Sequence, residues 1–435
     1  MIRLALRSLR YRTGGFTASL LTLTLGATIL MTFASLLDTA AAADPATAET
    51  LTIMAGVVGG WGLVIVTFAT ASTLALLVRQ RGTEMTLLRT IGATPAQLRR
   101  LLLAEAISLA VIAVLLAAVP SVFTGRLLVD LLRDAHRVPA GLPADFGPIA
   151  VAVGLGVTLT AAVLAALLAA RRTTTTRSAP RHRARLVSGV VALGGGLSCA
   201  IVTVTVFDGT EQAIMAVTGQ ASILCAIGLA LMGPTIITAA AAALTPLRHR
   251  GATTYLTAVN LRGHTAHMAT ALAPIILFTS IATGTLYMQR IENDFGTPMP
   301  AEIGGTIETL NYVVVGMIAL FAAVMLINTV VAATLHRRRE FGQLRLAGST
   351  RPQVLGMVGT EAAVLASAGV LFGTLAATAT VIPYSVVKAD SLLPDTTIGI
   401  YLAVIGIAAL LTLSTSLAGA RRATRQPAID TVRID

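Results

Sequence analysis

The sequence predicts an all-α, polytopic integral membrane protein of about ten transmembrane helices, arranged as two parallel four-helix repeats plus a two-helix insertion. Three observations predict this: too few charges for a water-facing surface, apolar runs of membrane-crossing length along the whole chain, and a block of sequence that occurs twice. Of the 435 residues, 55% are hydrophobic and 12% charged, whereas a soluble domain carries about 25% charged residues. Crossing a ~30 Å hydrocarbon layer takes roughly 20 apolar residues of helix. Runs of that length recur at 16–37, 54–77, 101–122, 148–170, 186–207, 213–244, 268–288, 312–335, 354–384 and 398–418.

Ten crossings put both ends of the chain on one side, and the loops say which. Arginine marks the cytoplasmic face of a membrane protein. Arg3, Arg7, Arg10 and Arg12 precede the first run, Arg79, Arg81, Arg99 and Arg100 lie between the second and third, and Arg337, Arg338, Arg339 and Arg351 between the eighth and ninth. The alternate loops hold Asp38, Asp44, Glu49, Asp208, Glu292, Asp294, Asp390 and Asp395. The stretch 126–145 mixes signs. The net charge of +12 therefore faces anionic headgroups; no nucleic-acid partner is expected. Both termini are expected in the cytoplasm, and Cys199 and Cys225, inside apolar runs, are expected to pack rather than pair.

The duplication is in register. Residues 84–97 align without a gap on 340–353, pairing Glu84 with Glu340, Leu88 with Leu344, Arg89 with Arg345, Gly92 with Gly348, Thr94 with Thr350 and Gln97 with Gln353; Glu105 and Glu361 follow at the same offset. Leu9-Arg10 and Leu261-Arg262 precede the first run of each copy, and paired arginines follow the last. The expected division is 1–185, a linking hairpin 186–249, and 250–435. An even-numbered insertion lets both copies keep one orientation.

Within the repeated block, Met85, Leu88 and Ile91 at three-residue spacing give a short helix one apolar face. Gly92 suits its left-handed end. Thr94 then caps the next helix, with Pro95 at its first position and Gln97 completing a capping box. Phe341, Leu344, Ala347, Gly348, Thr350 and Gln353 repeat the design.

These residues resemble a known family. The pattern Arg-x-Arg-x-x-Glu-x-x-x-Leu-Arg-x-x-Gly-Ala-Thr-x-x-Gln, followed by a glutamate in the next apolar run, is similar to the signature of FtsX-like or MacB-type permeases, the transmembrane subunits of type VII ABC transporters. The resemblance implies that the helix between the second and third spans of each copy is a coupling helix seated on an ABC-type ATPase dimer. It assigns that seat to Glu84, Leu88, Arg89, Gly92, Ala93, Thr94 and Gln97, and to Glu340, Leu344, Arg345, Gly348, Ser349, Thr350 and Gln353. It also implies a bacterial inner-membrane location. Many relatives carry a large extracytoplasmic domain, for which the loops 38–53 and 289–311 are too short.

No catalytic residue is predicted. The single lysine, Lys388, lies between Val387 and Ala389, so no Walker A lysine exists; ATP and Mg are expected in the partner ATPase and no cofactor in this chain. The six histidines have no metal-ligand spacing, so no metal site is expected. Glu105 and Glu361 stand about three turns into their helices, ~15 Å at 1.5 Å per residue. Each is expected to pair with an arginine or backbone amides and lock the corner to its span, rather than to relay protons. The expected function is ATP-driven movement of a hydrophobic or amphipathic substrate such as a peptide, drug or lipid-like compound, in the export direction. The rival is mechanotransmission to an extracytoplasmic enzyme or a sensor kinase without solute movement.

Overall fold

The structure, a computed structural model, describes residues 13–80, 87–88, 90–134, 138–174, 179–208, 213–243, 246, 252–263, 265–295, 316, 319–320, 323–327, 329–331, 337–392 and 398–425. Among these residues no strand occurs, and nine helices are long and apolar enough to cross a membrane. The eighth expected span, 312–335, lies largely outside the described residues.

The helices are α1 (Thr13–Ala40), α2 (Pro45–Gln80), α3 (Pro95–Asp134), α4 (Pro148–Thr174), α5 (Ala179–Val206), α6 (Ala213–Leu231), α7 (Gly233–Ala243), α8 (Ala252–Gly263), α9 (Thr265–Phe295), α10 (Arg338–Leu346), α11 (Arg351–Ala389) and α12 (Ile398–Arg425). Two departures from the expected runs have physical causes. The run 213–244 is not one helix, because Pro234 has no amide to continue the ladder and its ring opposes the preceding turn. α6 therefore stops at Leu231 and α7 starts at Gly233. Pro274 and Pro383, by contrast, sit inside continuous helices. Conversely, α3 and α11 outrun their apolar stretches. They have 40 and 39 residues, about 60 Å at 1.5 Å per residue, twice a ~30 Å hydrocarbon layer. The mixed-sign stretch after Arg126 is thus partly the far end of α3, where Arg133 pairs with Asp130 and donates to the Leu142 carbonyl at 2.6 Å.

The chain divides into two compact units, Met1–Ser178 with Asn293–Phe321, and Ala179–Glu292 with Ala322–Asp435. In the first, α1 packs against α2, α3 and α4. Small residues make the crossings close: Ala106, Ala110 and Ala113 of α3 and Ala162, Ala165 and Ala166 of α4 surround Leu23. Helices in lipid gain little from hydrophobicity and associate through such packing and hydrogen bonds. Thr32 and Thr124 share a hydrogen bond of 2.5 Å between α1 and α3. Asp38 is not the solvated loop acid its position suggests. It is buried, and its carboxylate accepts from the amides of Ile149 at 3.0 Å and Ala150 at 2.8 Å. It caps α4 from a distant part of the chain, where a negative charge is favoured by the helix dipole.

The second unit contains the hairpin α5–α6 together with the second copy. In the hairpin, a Cβ added at Gly228 would lie 2.8 Å from the Gly189 carbonyl, and one at Gly196 would lie 2.7 Å from the Ala221 carbonyl. Cys225 is buried beside this seam, and both cysteines are free thiols. α6 packs in turn on α11. There the Thr380 hydroxyl donates to the Thr218 carbonyl at 2.6 Å and accepts from the Ser222 amide at 3.1 Å. Those two backbone groups are four residues apart, so a side chain of α11 enters one turn of α6. Ser280 of α9 donates to the Ser222 carbonyl at 3.2 Å, and Thr203 and Thr218 join α5 to α6 at 3.0 Å.

Candidate functional site

The duplicated block folds the same way twice. Gly92 and Gly348 have φ of +96° and +97°, a region that favours glycine because a Cβ would crowd the backbone. Across each glycine the chain closes with matching bonds: Ala93 N–H donates to Leu88 O at 2.9 Å, and Ser349 N–H to Leu344 O at 3.0 Å. The next helix is then capped by its own third residue. Thr94 N–H donates to Gln97 Oε1 at 2.9 Å, and Thr350 N–H to Gln353 Oε1 at 2.9 Å. Gln97 N–H returns a bond to Thr94 Oγ1 at 3.3 Å, and Thr350 and Gln353 form the same box. A helix end, a tight corner and a new long helix are thereby fixed by local bonds alone.

Each corner is wedged against its long helix by apolar side chains. In the first copy Leu88 and Ala93 pack on Leu98, Leu101 and Leu102. In the second Phe341 and Leu344 pack on Val354, Met357 and Val358, and the patch extends to Ala420 and Ala423 of α12. Ile91 departs from the expected apolar face and is 75% exposed, because the helix ends there and the residue turns outward with the corner. Leu87 and Leu346 are exposed on the same features, as is Ala347. Glu84 and Arg89 lie outside the described residues.

The second corner carries a charge cluster. The Arg337 guanidinium, immediately before α10, forks between two carboxylates: Nε and Nη2 donate to Glu340 at 2.8 and 2.9 Å, Nη1 donates to Glu361 Oε2, and Nη2 reaches Glu361 Oε1 at 3.3 Å. Glu361, inside α11, is 1% exposed. Asn260 of α8 donates to its Oε1 at 2.8 Å, and the guanidinium carbon lies 5.2 Å from the centre of the Phe341 ring. Burial alone works against the charged guanidinium, but the bonds and charges of Glu340 and Glu361 outweigh it and raise the arginine's pKa. The guanidinium therefore stays charged. A fork shared by two carboxylates is a geometry that lysine's single ammonium does not reproduce. Arg345 adds a second tether, donating to the Thr424 carbonyl near the end of α12 at 3.1 Å. Glu105, the counterpart of Glu361, is likewise buried, at 4% exposure.

Of the residues singled out from the sequence, the structure thus joins Glu340 to Glu361 through Arg337, and places Leu344, Gly348, Ser349, Thr350 and Gln353 in one corner. Arg337, named from the sequence only as one of the cytoplasmic arginines, and Asn260, not named there, carry the cluster. The Arg337-x-x-Glu340 spacing was a readable clue, since residues three apart meet on a helix; nothing local points to Asn260. No group of three or more metal-ligating side chains occurs among the described residues.

What the corners resemble can now be compared with known proteins. The FtsX-like permease C-terminal family matches residues 56–177 and 312–428, two matches that begin 256 residues apart and together span more than half of the chain. The corner residues stand at that same offset. A comparison with curated proteins finds no match. On the two family matches, the chain belongs to the FtsX-like permease family, the transmembrane and generally non-catalytic subunits of ABC-type permeases.

Proposed function

We propose that the two corners are the seats of a cytoplasmic ABC-type ATPase dimer, and that this chain turns ATP hydrolysis in that partner into movement of a hydrophobic or amphipathic substrate out of the bacterial inner membrane. ATP and Mg belong to the partner. The observation that carries the reading is the duplicated corner: two pseudo-equivalent surfaces suit a two-fold partner, and Leu87, Ile91 and Leu346 present apolar side chains there. The Arg337 cluster supports it, because force applied to α10 passes through buried charge pairs directly into α11. Arginines clustered around the corners support a cytoplasmic side for this face and for both termini. The shortness of the outward loops favours a substrate drawn from the bilayer.

A second reading, mechanotransmission to an outer protein, draws on one observation: α3 and α11 are about twice the length needed to cross the hydrocarbon. Purified full-length chain, reconstituted in sealed vesicles with candidate ABC-type ATPases from the same cells, tests both. ATP-dependent movement of a fluorescent lipid or amphipathic peptide supports the first. ATPase control by an outer protein without any such movement supports the second. Failure to bind any ATPase overturns both.

A further inference from the structure

At the end of α11 away from the corner, a second charge cluster joins two helices of the second unit. Lys388 Nζ donates to Glu292 Oε1 at 3.3 Å and lies 3.1 Å from Oε2, and the Tyr384 hydroxyl donates to Glu292 Oε2. Tyr384 and Lys388 are one turn apart and so share a face of α11; Glu292 is in the last turn of α9. Tyr384 is fully buried, whereas Lys388 and Glu292 keep partial access to water. Tyr384 closes the apolar run 354–384 and lies about 50 Å along α11 at ~1.5 Å per residue, so the cluster sits at the end of the helix opposite the corner.

We propose that Glu292, Tyr384 and Lys388 form a clasp that holds the outer ends of α9 and α11 together at rest and parts when the permease turns over. The physical case rests on where the two charge clusters of α11 sit. The inner one is buried, forked and multiply bonded, which suits a joint that never lets go. The outer one is a single lysine on a single carboxylate, open to water on one side, where the separated ions are readily resolvated. The inner cluster holds α11 to Arg337 and to Asn260 of α8, the helix just before α9, so release of the outer pair lets the outer ends of α9 and α11 swing apart. Pro383 adds to this, because a proline inside the helix removes one ladder bond just before Tyr384. The parting rests on the ATP-driven reading above; the clasp itself does not.

Lys388 is the only lysine in the chain, which makes it a single reporter. Sealed cells expressing the full-length protein are treated with a membrane-impermeant sulfonated succinimidyl ester, and modification of the Lys388 peptide is followed by mass spectrometry. The clasp predicts slow labelling in the parent protein and at least about threefold faster labelling in Glu292→Gln and Tyr384→Phe, two substitutions that keep side-chain volume nearly constant. Equal rates in all three proteins overturn it. ATP-replete cells are expected to label the parent faster than ATP-depleted cells, while Glu292→Gln shows no such difference. A flat ATP response in a protein whose vesicles show ATP-driven transport overturns the parting. A flat response without transport counts instead against the permease reading, and the response to the two variants still decides the clasp.

Discussion

Arg337 and Glu361 are 24 residues apart in the chain, yet they form a buried ion pair that ties the short helix α10 to the interior of α11. Because Arg337 also holds Glu340, the guanidinium is the shared member of two pairs, and losing it takes the arginine's charge and bonds from both carboxylates. Removing one partner of a buried pair typically costs about 3–5 kcal/mol. Arg337→Ala is expected at that level, and Glu361→Gln below it, because the amide can still accept from the arginine. Arg337→Lys is expected to fall between them. Thermal unfolding in detergent orders the three. The sign with pH follows from the raised arginine pKa: its contribution is present below the ordinary arginine range and is lost only as pH rises through the higher folded value. The parent's unfolding temperature should therefore show no loss from this arginine across neutral and mildly alkaline pH.

Alanine at Gly92 or Gly348 isolates the cost of the corner itself. Neither added Cβ meets another atom within 4 Å, and both residues have positive φ, so only backbone strain changes, about 1–2 kcal/mol. Asparagine, which tolerates this conformation better, should cost less at both positions. Equal losses for Ala and Asn by thermal melt would show that the corner does not depend on the left-handed residue.

The corners were legible in the sequence because every bond that makes them lies within five or six residues. Gly92, Thr94 and Gln97 announce a helix end and a new start wherever they occur in that order. Partners brought together by tertiary packing left no such trace. Asp38 read as a loop acid, although it caps α4 from more than a hundred residues away. Thr380 stands inside an apolar run with nothing local to mark it, although it enters a turn of α6. Ile91 fitted a three-residue period that the helix does not last long enough to complete. Apolar runs located the nine spans found among the described residues but not their ends, because α3 and α11 continue as helices where their sequences turn polar.

The hairpin offers a paired test of close packing. Gly228→Ala places a methyl 2.8 Å from the Gly189 carbonyl and 2.9 Å from the Leu193 amide, and backbone cannot yield as a side chain can. Overpacking of this kind costs about 1–3 kcal/mol. Gly194→Ala, one face away, meets nothing within 4 Å and should be neutral or slightly stabilising, since alanine favours helix by roughly 1 kcal/mol over glycine. Unfolding of the two variants in the same detergent checks the contrast; similar losses would mean that the seam is not where α5 and α6 meet.

Exposed apolar residues at the corners give the most direct test of a docked ATPase. Ile91, Leu87 and Leu346 are all more than half exposed and contribute little to their own unit's packing, so glutamate at these positions should leave the fold intact. If they are buried by a partner, each introduced carboxylate loses its water without gaining a counter-charge. Central contacts of an interface are often worth 2 kcal/mol or more, so binding of the ABC-type ATPase that co-purifies with the parent chain should weaken at least about tenfold. Leu392 is the control. It is 72% exposed but lies just past the other end of α11, and Leu392→Glu should leave ATPase binding unchanged. The measurement is co-purification followed by titration of the labelled ATPase onto immobilised permease. Weakening by the corner variants alone supports the seats; equal weakening by Leu392→Glu would point to a general loss of fold. Undiminished binding in all the corner variants would place the ATPase elsewhere on the chain.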